Sequence, residues 1–255
     1  MSIVNLLNAL LRTEKKIKKT ELPSQGLFYE DDFEIKIKKA DQEDIIEYKK
    51  NYIKDDLGSI INEIKKIVKK NVIISEGYSF LDIKSIDVVF IFLEIVSLTK
   101  GKPLTFNIYD DNLGYINIEF KPENFNYFFI NEKIMKKYNK AEKCFEIDGF
   151  KYTLPSIGVE NSLTDFLISK INETDADKYN YYFYDFTHFV GNKNSLTHGE
   201  VENLINVFNF DIDESDMSIV KSILKTFEPI QRYSFIRDGY IIEITSKIDL
   251  EKIWL

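Results

Sequence analysis

The side chains able to do chemistry are few and poorly grouped. His188 follows an aromatic run from Tyr179 to Phe186, and His198 sits beside Thr197-His198-Gly199-Glu200. A shared metal or a catalytic pair built on them would need further ligands that no nearby spacing nominates. Cys144 is the single cysteine, which excludes an internal disulfide and any multi-cysteine metal site, and its place at a predicted strand start suits a small buried residue. Ser24 in Pro-Ser-Gln-Gly and Ser156 in Pro-Ser-Ile-Gly lack the leading glycine and the strand-to-helix setting of a nucleophile elbow. Asp211, Asp213, Ser215 and Asp216 imitate the start of a calcium loop, but Asp216 stands where glycine is needed and Ser222 where the bidentate glutamate is needed, so helix capping is the expected role. Asp175, Asp177, Asp110 and Asp111 read as turn and cap residues. Thr99-Lys100-Gly101-Lys102-Pro103 leads into a strand rather than a helix and is no phosphate loop. The expectation is no catalytic residue, no cofactor and no metal.

Composition narrows the field further. The 255 residues carry 34 Lys+Arg against 42 Asp+Glu, a net charge of −8, and only Arg12, Arg232 and Arg237 are arginines. An acidic chain short of guanidinium forks is a poor reader of nucleic acid. The apolar stretch at 86–98 carries Asp87 and Glu94 and is too short to span a bilayer, so no membrane insertion is expected. The start of the chain, Met1 to Leu11, lacks the charge order and cleavage site of a signal peptide and reads as an amphipathic helix.

Those residues must be held by elements that the periodicity marks. Residues 21–29 are expected to be extended, because Pro23 disfavours helix. Phe33, Ile35 and Ile37 alternate as a strand; Asp41 caps a short helix through Tyr48; Ile60, Ile61, Ile64, Ile67 and Val68 recur at helical spacing. A long helix over 83–99 ends at Gly101 and Pro103. Hairpins follow at 104–120 and at 145–153, the latter turning at Asp148-Gly149. Helices are expected over 163–171, 179–190 and 201–208, the last behind a Thr197/Glu200 capping box. A final helix capped by Asp213 or Ser215 leads to a third hairpin around Asp238-Gly239.

The fold class is therefore α+β, helices interleaved with small antiparallel β-hairpins. The order of apolar helix, short link, hairpin and apolar tail occurs at 86–128 and again at 217–255, which points to two similar halves. The expected division is an N-terminal helix and extended docking segment at 1–30, then helical and hairpin domains at 31–140 and 141–255. The 20 Phe and 15 Tyr either fill cores or cover a surface that meets a partner.

Leu22-Pro23-Ser24-Gln25-Gly26-Leu27-Phe28-Tyr29, followed by a charged turn and the strand at 33–37, resembles the opening of the baseplate hub subunit family of T-even-like contractile-tailed bacteriophages. Phe80-Leu81-Asp82 leading into Asp87-Val88-Val89-Phe90 resembles that family's second block, and residues 227–250 resemble a third. Many relatives carry Cys-x-x-Cys at the hairpin turns, where this chain has residues 110–114 and 237–239, so metal binding does not carry over. The resemblance implies a structural or assembly protein of the virion tail baseplate, assembled in the host cytoplasm, without enzymatic activity and in contact with other hub or tape-measure proteins. Leu22, Pro23, Leu27, Phe28 and Tyr29 are the nominated partner-binding residues, with packing along their own domain as the open alternative. A tail-associated cell-wall hydrolase, which would need paired carboxylates in a cleft, and a non-phage cytoplasmic adaptor are the competing functions.

Overall fold

The computed structural model describes residues 13–52, 57–110, 114–119, 130–170, 183–208, 212–227, 232–237 and 240–245. The expected N-terminal helix at 1–11, the aromatic run at 125–129, the first residues (179–182) of the helix predicted over 179–190, and the tail at 250–255 lie outside these residues. The fold is α+β.

The first sheet is antiparallel in the order β1 (Glu14–Ile17), β2 (Ile35–Lys38), β3 (Val72–Ile74), with Ile17 opposite Ile35 and Ile35 opposite Ile74. Alternation in β2 turns Ile35 and Ile37 inward while Lys36 and Lys38 stay in water. Between β2 and β3 run α1 (Gln42–Tyr52) and α2 (Leu57–Asn71). The Asp41 carboxylate accepts from the Asp44 amide at 3.0 Å and the Asp44 carboxylate accepts from the Asp41 amide at 3.2 Å, so the expected cap is a reciprocal box. Helix α3 (Val88–Lys100) is enclosed on nearly every side and ends where Gly101 adopts φ 65°. Its one internal charge, Glu94, is matched by Lys15 reaching over from β1. Short 3-10 turns at Phe80–Asp82 and Ser85–Asp87 replace the first residues of the helix expected from 83.

The hairpins form as read: β4 (Thr105–Asp110) with β5 (Gly114–Glu119), and β9 (Arg232–Arg237) with β10 (Tyr240–Thr245). After the short α4 (Glu132–Met135), β6 (Tyr138–Asn139), β7 (Cys144–Ile147) and β8 (Phe150–Tyr152) make another antiparallel sheet. Asp148 and Gly149, at φ 48° and 90°, supply the paired positive φ that a tight two-residue hairpin turn demands. Helices α5 (Ile157–Lys170), α6 (Phe183–Phe186), α7 (His198–Asn206) and α8 (Glu214–Thr226) complete the described chain. Thr197 and Glu200 form the expected capping box, and Asp213 caps α8 by accepting from the Asp216 amide at 2.8 Å.

Two expectations need correcting. Residues 22–29 are not extended: Gln25 and Gly26 take φ 54° and 71°, and the Leu22 and Ser24 carbonyls accept from the Gln25 and Leu27 amides at 2.7 and 3.2 Å, folding the segment into successive turns. A Cβ at Gly26 would lie 2.6 Å from Lys19 Cβ, so close chain contact as well as backbone angle selects glycine there. The division at 30 and 140 also fails to follow the sheets. Strand β1 lies before the first boundary and pairs with β2 beyond it, while β6 and β7 pair across the second.

Three apolar clusters result. One joins the first sheet to α1, α2 and α3; one is built from α5 to α8; a third surrounds the β6-β7-β8 sheet, with Phe28, Phe145, Tyr152 and Phe227 at its centre. The first is stitched to the second by backbone: the Ser85 amide donates to Pro155 O at 3.1 Å and the Ile157 amide to Ile83 O at 2.8 Å. The loop before α7 presses on α5 so tightly that a Cβ at Gly158 would stand 1.8 Å from the Asn194 carbonyl oxygen. Gly158→Ala is therefore expected to lower stability by about 2 kcal/mol or more in chemical denaturation, because backbone must move. Gly199→Ala, with open space around the new methyl, should change it by no more than about 0.5 kcal/mol.

Candidate functional site

The 3-10 turn Ser85–Asp87 that leads into α3 is fixed first. Asp87 is fully buried, and its carboxylate serves the turn segment rather than capping its own helix: Oδ1 accepts from the Ser24 amide at 2.8 Å, and Oδ2 accepts from the Tyr29 hydroxyl at 2.7 Å. The Tyr29 oxygen in turn accepts from the Lys84 amide at 2.8 Å. Burial pushes the Asp87 carboxyl up to about 6, against the lowering pull of its Ser24 and Tyr29 hydrogen bonds. Burial also lifts the Tyr29 hydroxyl well above its ordinary value and brings the Lys84 ammonium down to about 8. The Lys84 Nζ donates to Asn192 Oδ1 at 2.7 Å, reaching the loop that packs on α5.

This arrangement determines where the nominated docking residues lie. Leu22, Pro23, Phe28 and Tyr29 are buried and Leu27 is half-buried. Tyr29 stacks on Phe33 with ring centroids 4.4 Å apart, and Phe28 packs against Phe145 at 5.9 Å. The apolar groups offered as anchors for a partner are spent on the chain's own interior.

A cleft of about 690 Å³ opens elsewhere, where residues of the three clusters meet. Helix α2 contributes Ile61, Ile64 and Lys65; the 3-10 turn Ser85–Asp87 contributes Ser85 and Ile86, and the start of α3 Val88 and Val89; β8 and the link after it contribute Tyr152, Leu154 and Pro155. Glu160 of α5, Tyr184 and Asp185 of α6, His188, and the end of α8 close it. Glu160 has both oxygens engaged: Oε2 faces Lys65 Nζ at 3.0 Å, and Oε1 accepts from the Tyr184 hydroxyl.

His188 is oriented by backbone. Its Nδ1 lies 2.9 Å from the Thr153 carbonyl oxygen, which can only accept, so Nδ1 carries the proton and Nε2 the lone pair. The Thr153 amide donates back to the His188 carbonyl at 2.8 Å, and the imidazole stacks on Tyr152 at 5.0 Å with the rings 5° from parallel. Burial brings the imidazole down to about 4, outweighing the raising effects of Thr153 and Glu160, so the ring is neutral near pH 7. Nε2 has no hydrogen-bond partner among the described residues. Asp185 is also without a hydrogen-bond partner among them, and burial raises its carboxyl.

The remaining candidates scatter. His198 stands at the start of α7, edge-on to Phe166 at 5.6 Å, and takes no part in the cleft. Ser24 is held by Asp87, and Ser156 Oγ accepts from the Val159 amide at 3.2 Å as a helix cap. Cys144 is buried between Glu142 and Glu146, whose ligand atoms lie within 4.8 Å of one another and of its sulfur. Both carboxylates there have local partners, Lys151 for Glu142 and Asn139 for Glu146, and burial raises the thiol. Sequence reasoning left the cleft unseen because its lining comes from segments more than 160 residues apart. The nearest signal was Asp87, a charge at the head of an apolar helix. No family model, curated protein or solved structure matches the chain.

Asp87 and His188 give opposite pH slopes. The raised carboxyl stabilises the fold below about pH 4, and that contribution is lost as pH climbs through 6; the lowered imidazole stabilises it above about 6.5 and loses effect as pH falls towards 4. Denaturation between pH 4 and 6.5 should show the cost of Asp87→Asn shrinking with rising pH and the cost of His188→Asn growing. Asp87→Ala, which strands the Ser24 amide and the Tyr29 hydroxyl, is expected to cost about 3 kcal/mol or more at any pH in that range.

Proposed function

We propose that this protein works by contact, as a structural or assembly component of the baseplate hub of a contractile-tailed phage. In this reading it meets other hub or tape-measure proteins, is assembled in the host cytoplasm and resides in the virion tail. The observation that carries the reading is the convergence at Asp87. The two segments that resemble the hub family, 22–29 and 80–90, are far apart in sequence, yet one carboxylate joins them through Ser24 and Tyr29. Residues that resemble a family in both blocks and also form one buried unit favour a shared architecture over two chance likenesses.

The hydrolase reading needs two carboxyls free to exchange protons with a substrate. Glu160 and Asp185 share the cleft, but both Glu160 oxygens are occupied by Lys65 and Tyr184, which weighs against that use. Among the described residues no helix is long and apolar enough to cross a membrane. An adaptor unrelated to phage would use the same contact chemistry, and the identity of the partners separates the two.

The test is co-expression with the products of the neighbouring genes, followed by size-exclusion chromatography with light scattering. A discrete complex of fixed stoichiometry with a tail-tube, hub or tape-measure protein is expected. A chain that stays alone beside all of them, or that cleaves peptidoglycan with saturable kinetics, overturns the proposal.

A further inference from the structure

The cleft has a chemistry of its own, beyond the contact role proposed above. Its walls at Ile64, Val88, Val89, Leu154, Leu224 and Phe227 are apolar, and its volume of about 690 Å³ falls in the range of small-molecule sites. Charges inside are largely settled: Lys65 and Glu160 neutralise one another at 3.0 Å, and Tyr184 adds its hydroxyl to the same carboxylate. An anionic ligand would have to break that pair or lie beside Asp185, at a desolvation cost that an apolar wall does not return.

The lining holds polar groups without a hydrogen-bond partner among the described residues: Ser85 Oγ is buried in the wall, and the groups at the His188 end are acceptors. His188 presents Nε2 as a lone pair because Thr153 fixes the proton on Nδ1, and the Asp185 carboxyl has no hydrogen-bond partner among the described residues. The two stand three positions apart across the turn that follows α6, and both line the cavity. A ligand that fits must bury ring or alkyl surface against the walls and bring an N–H or O–H to this end.

We propose that the cleft is a binding site for a small ring compound that carries no negative charge and bears an N–H or O–H donor, with His188 Nε2 as an acceptor that reads that donor. Shape and burial set the basal affinity, and the acceptor sets the preference. Truncating ligand or acceptor alone should remove that preference while leaving the apolar contribution in place.

The probes are indole and p-cresol, each with one donor, toluene without one, and benzoate with a negative charge. Each is titrated into the full-length chain at pH 7 and followed by amide chemical shifts. Indole and p-cresol should give saturable shifts centred on the residues around the cleft, with toluene about tenfold weaker and benzoate weaker still. His188→Asn keeps a donor for the Thr153 carbonyl and deletes the Nε2 acceptor; it should bring indole and p-cresol to within about twofold of toluene. Ile61→Trp, a change at a half-exposed wall residue, should weaken all three together. Equal binding of toluene and indole by the unaltered protein, an unchanged preference in folded His188→Asn, or no saturable shift at the cleft would each overturn the proposal. Should His188→Asn fail to fold, the donor preference in the unaltered chain and the block by Ile61→Trp decide the matter.

Discussion

A buried carboxylate is costly to desolvate, and this structure places one at the point where a turn segment, a tyrosine and the start of its most enclosed helix meet. Asp87 is tolerated there because the Ser24 amide and the Tyr29 hydroxyl both aim at it. Ser24 can do so only because residues 22–29 fold back on themselves through the left-handed backbone of Gln25 and Gly26. The constraint runs in both directions: without the carboxylate the turn has an unsatisfied amide and hydroxyl, and without the turn the carboxylate has no partners. With α3 so anchored, Ser85 and Ile83 present their backbone to Pro155 and Ile157, and the first apolar cluster is tied to the second.

The cleft is a consequence of that joint. Helices α2 and α3 arrive with the first cluster, α5 and α6 with the second, and β8 with the end of α8 from the third. Their surfaces do not fill the junction; Lys65, Glu160 and Tyr184 hold one another there, while His188 is set by backbone. Thr153 and His188 exchange two hydrogen bonds, which turns the imidazole and sets its tautomer. The site is thus organised by the same links that hold the clusters together.

Much of the local structure was legible from single residues. Asp41, Thr197 and Asp213 act as caps because a short oxygen-bearing side chain before an apolar-periodic run has a strong local reason to bond the first amides. Asp148-Gly149 and Gly101 act through φ alone. The strands β1 and β3 escaped notice because β1 reads Glu-Lys-Lys-Ile and β3 is only Val-Ile-Ile, so neither shows a period of its own; the apolar face of β2 recruits both. Pro23 pointed to an extended segment, and the correction came from Gly26 and Asp87, a partner 63 residues away from Ser24 that no local pattern announces. The cleft was illegible for the same reason. Of the 42 acids, nothing in spacing singles out Glu160 and Asp185, and His188 gains its orientation from a carbonyl 35 residues upstream.

The most direct measurement is the carboxyl carbon chemical shift of Asp87 followed through a pH titration of the folded protein, with the Ser24 amide proton observed in the same samples. If the carboxylate is the buried joint described here, it titrates near pH 6 and the Ser24 amide shifts with the same midpoint. A midpoint near 4, with a Ser24 amide indifferent to it, would mean that Asp87 is solvated and that the two segments are held together by something else.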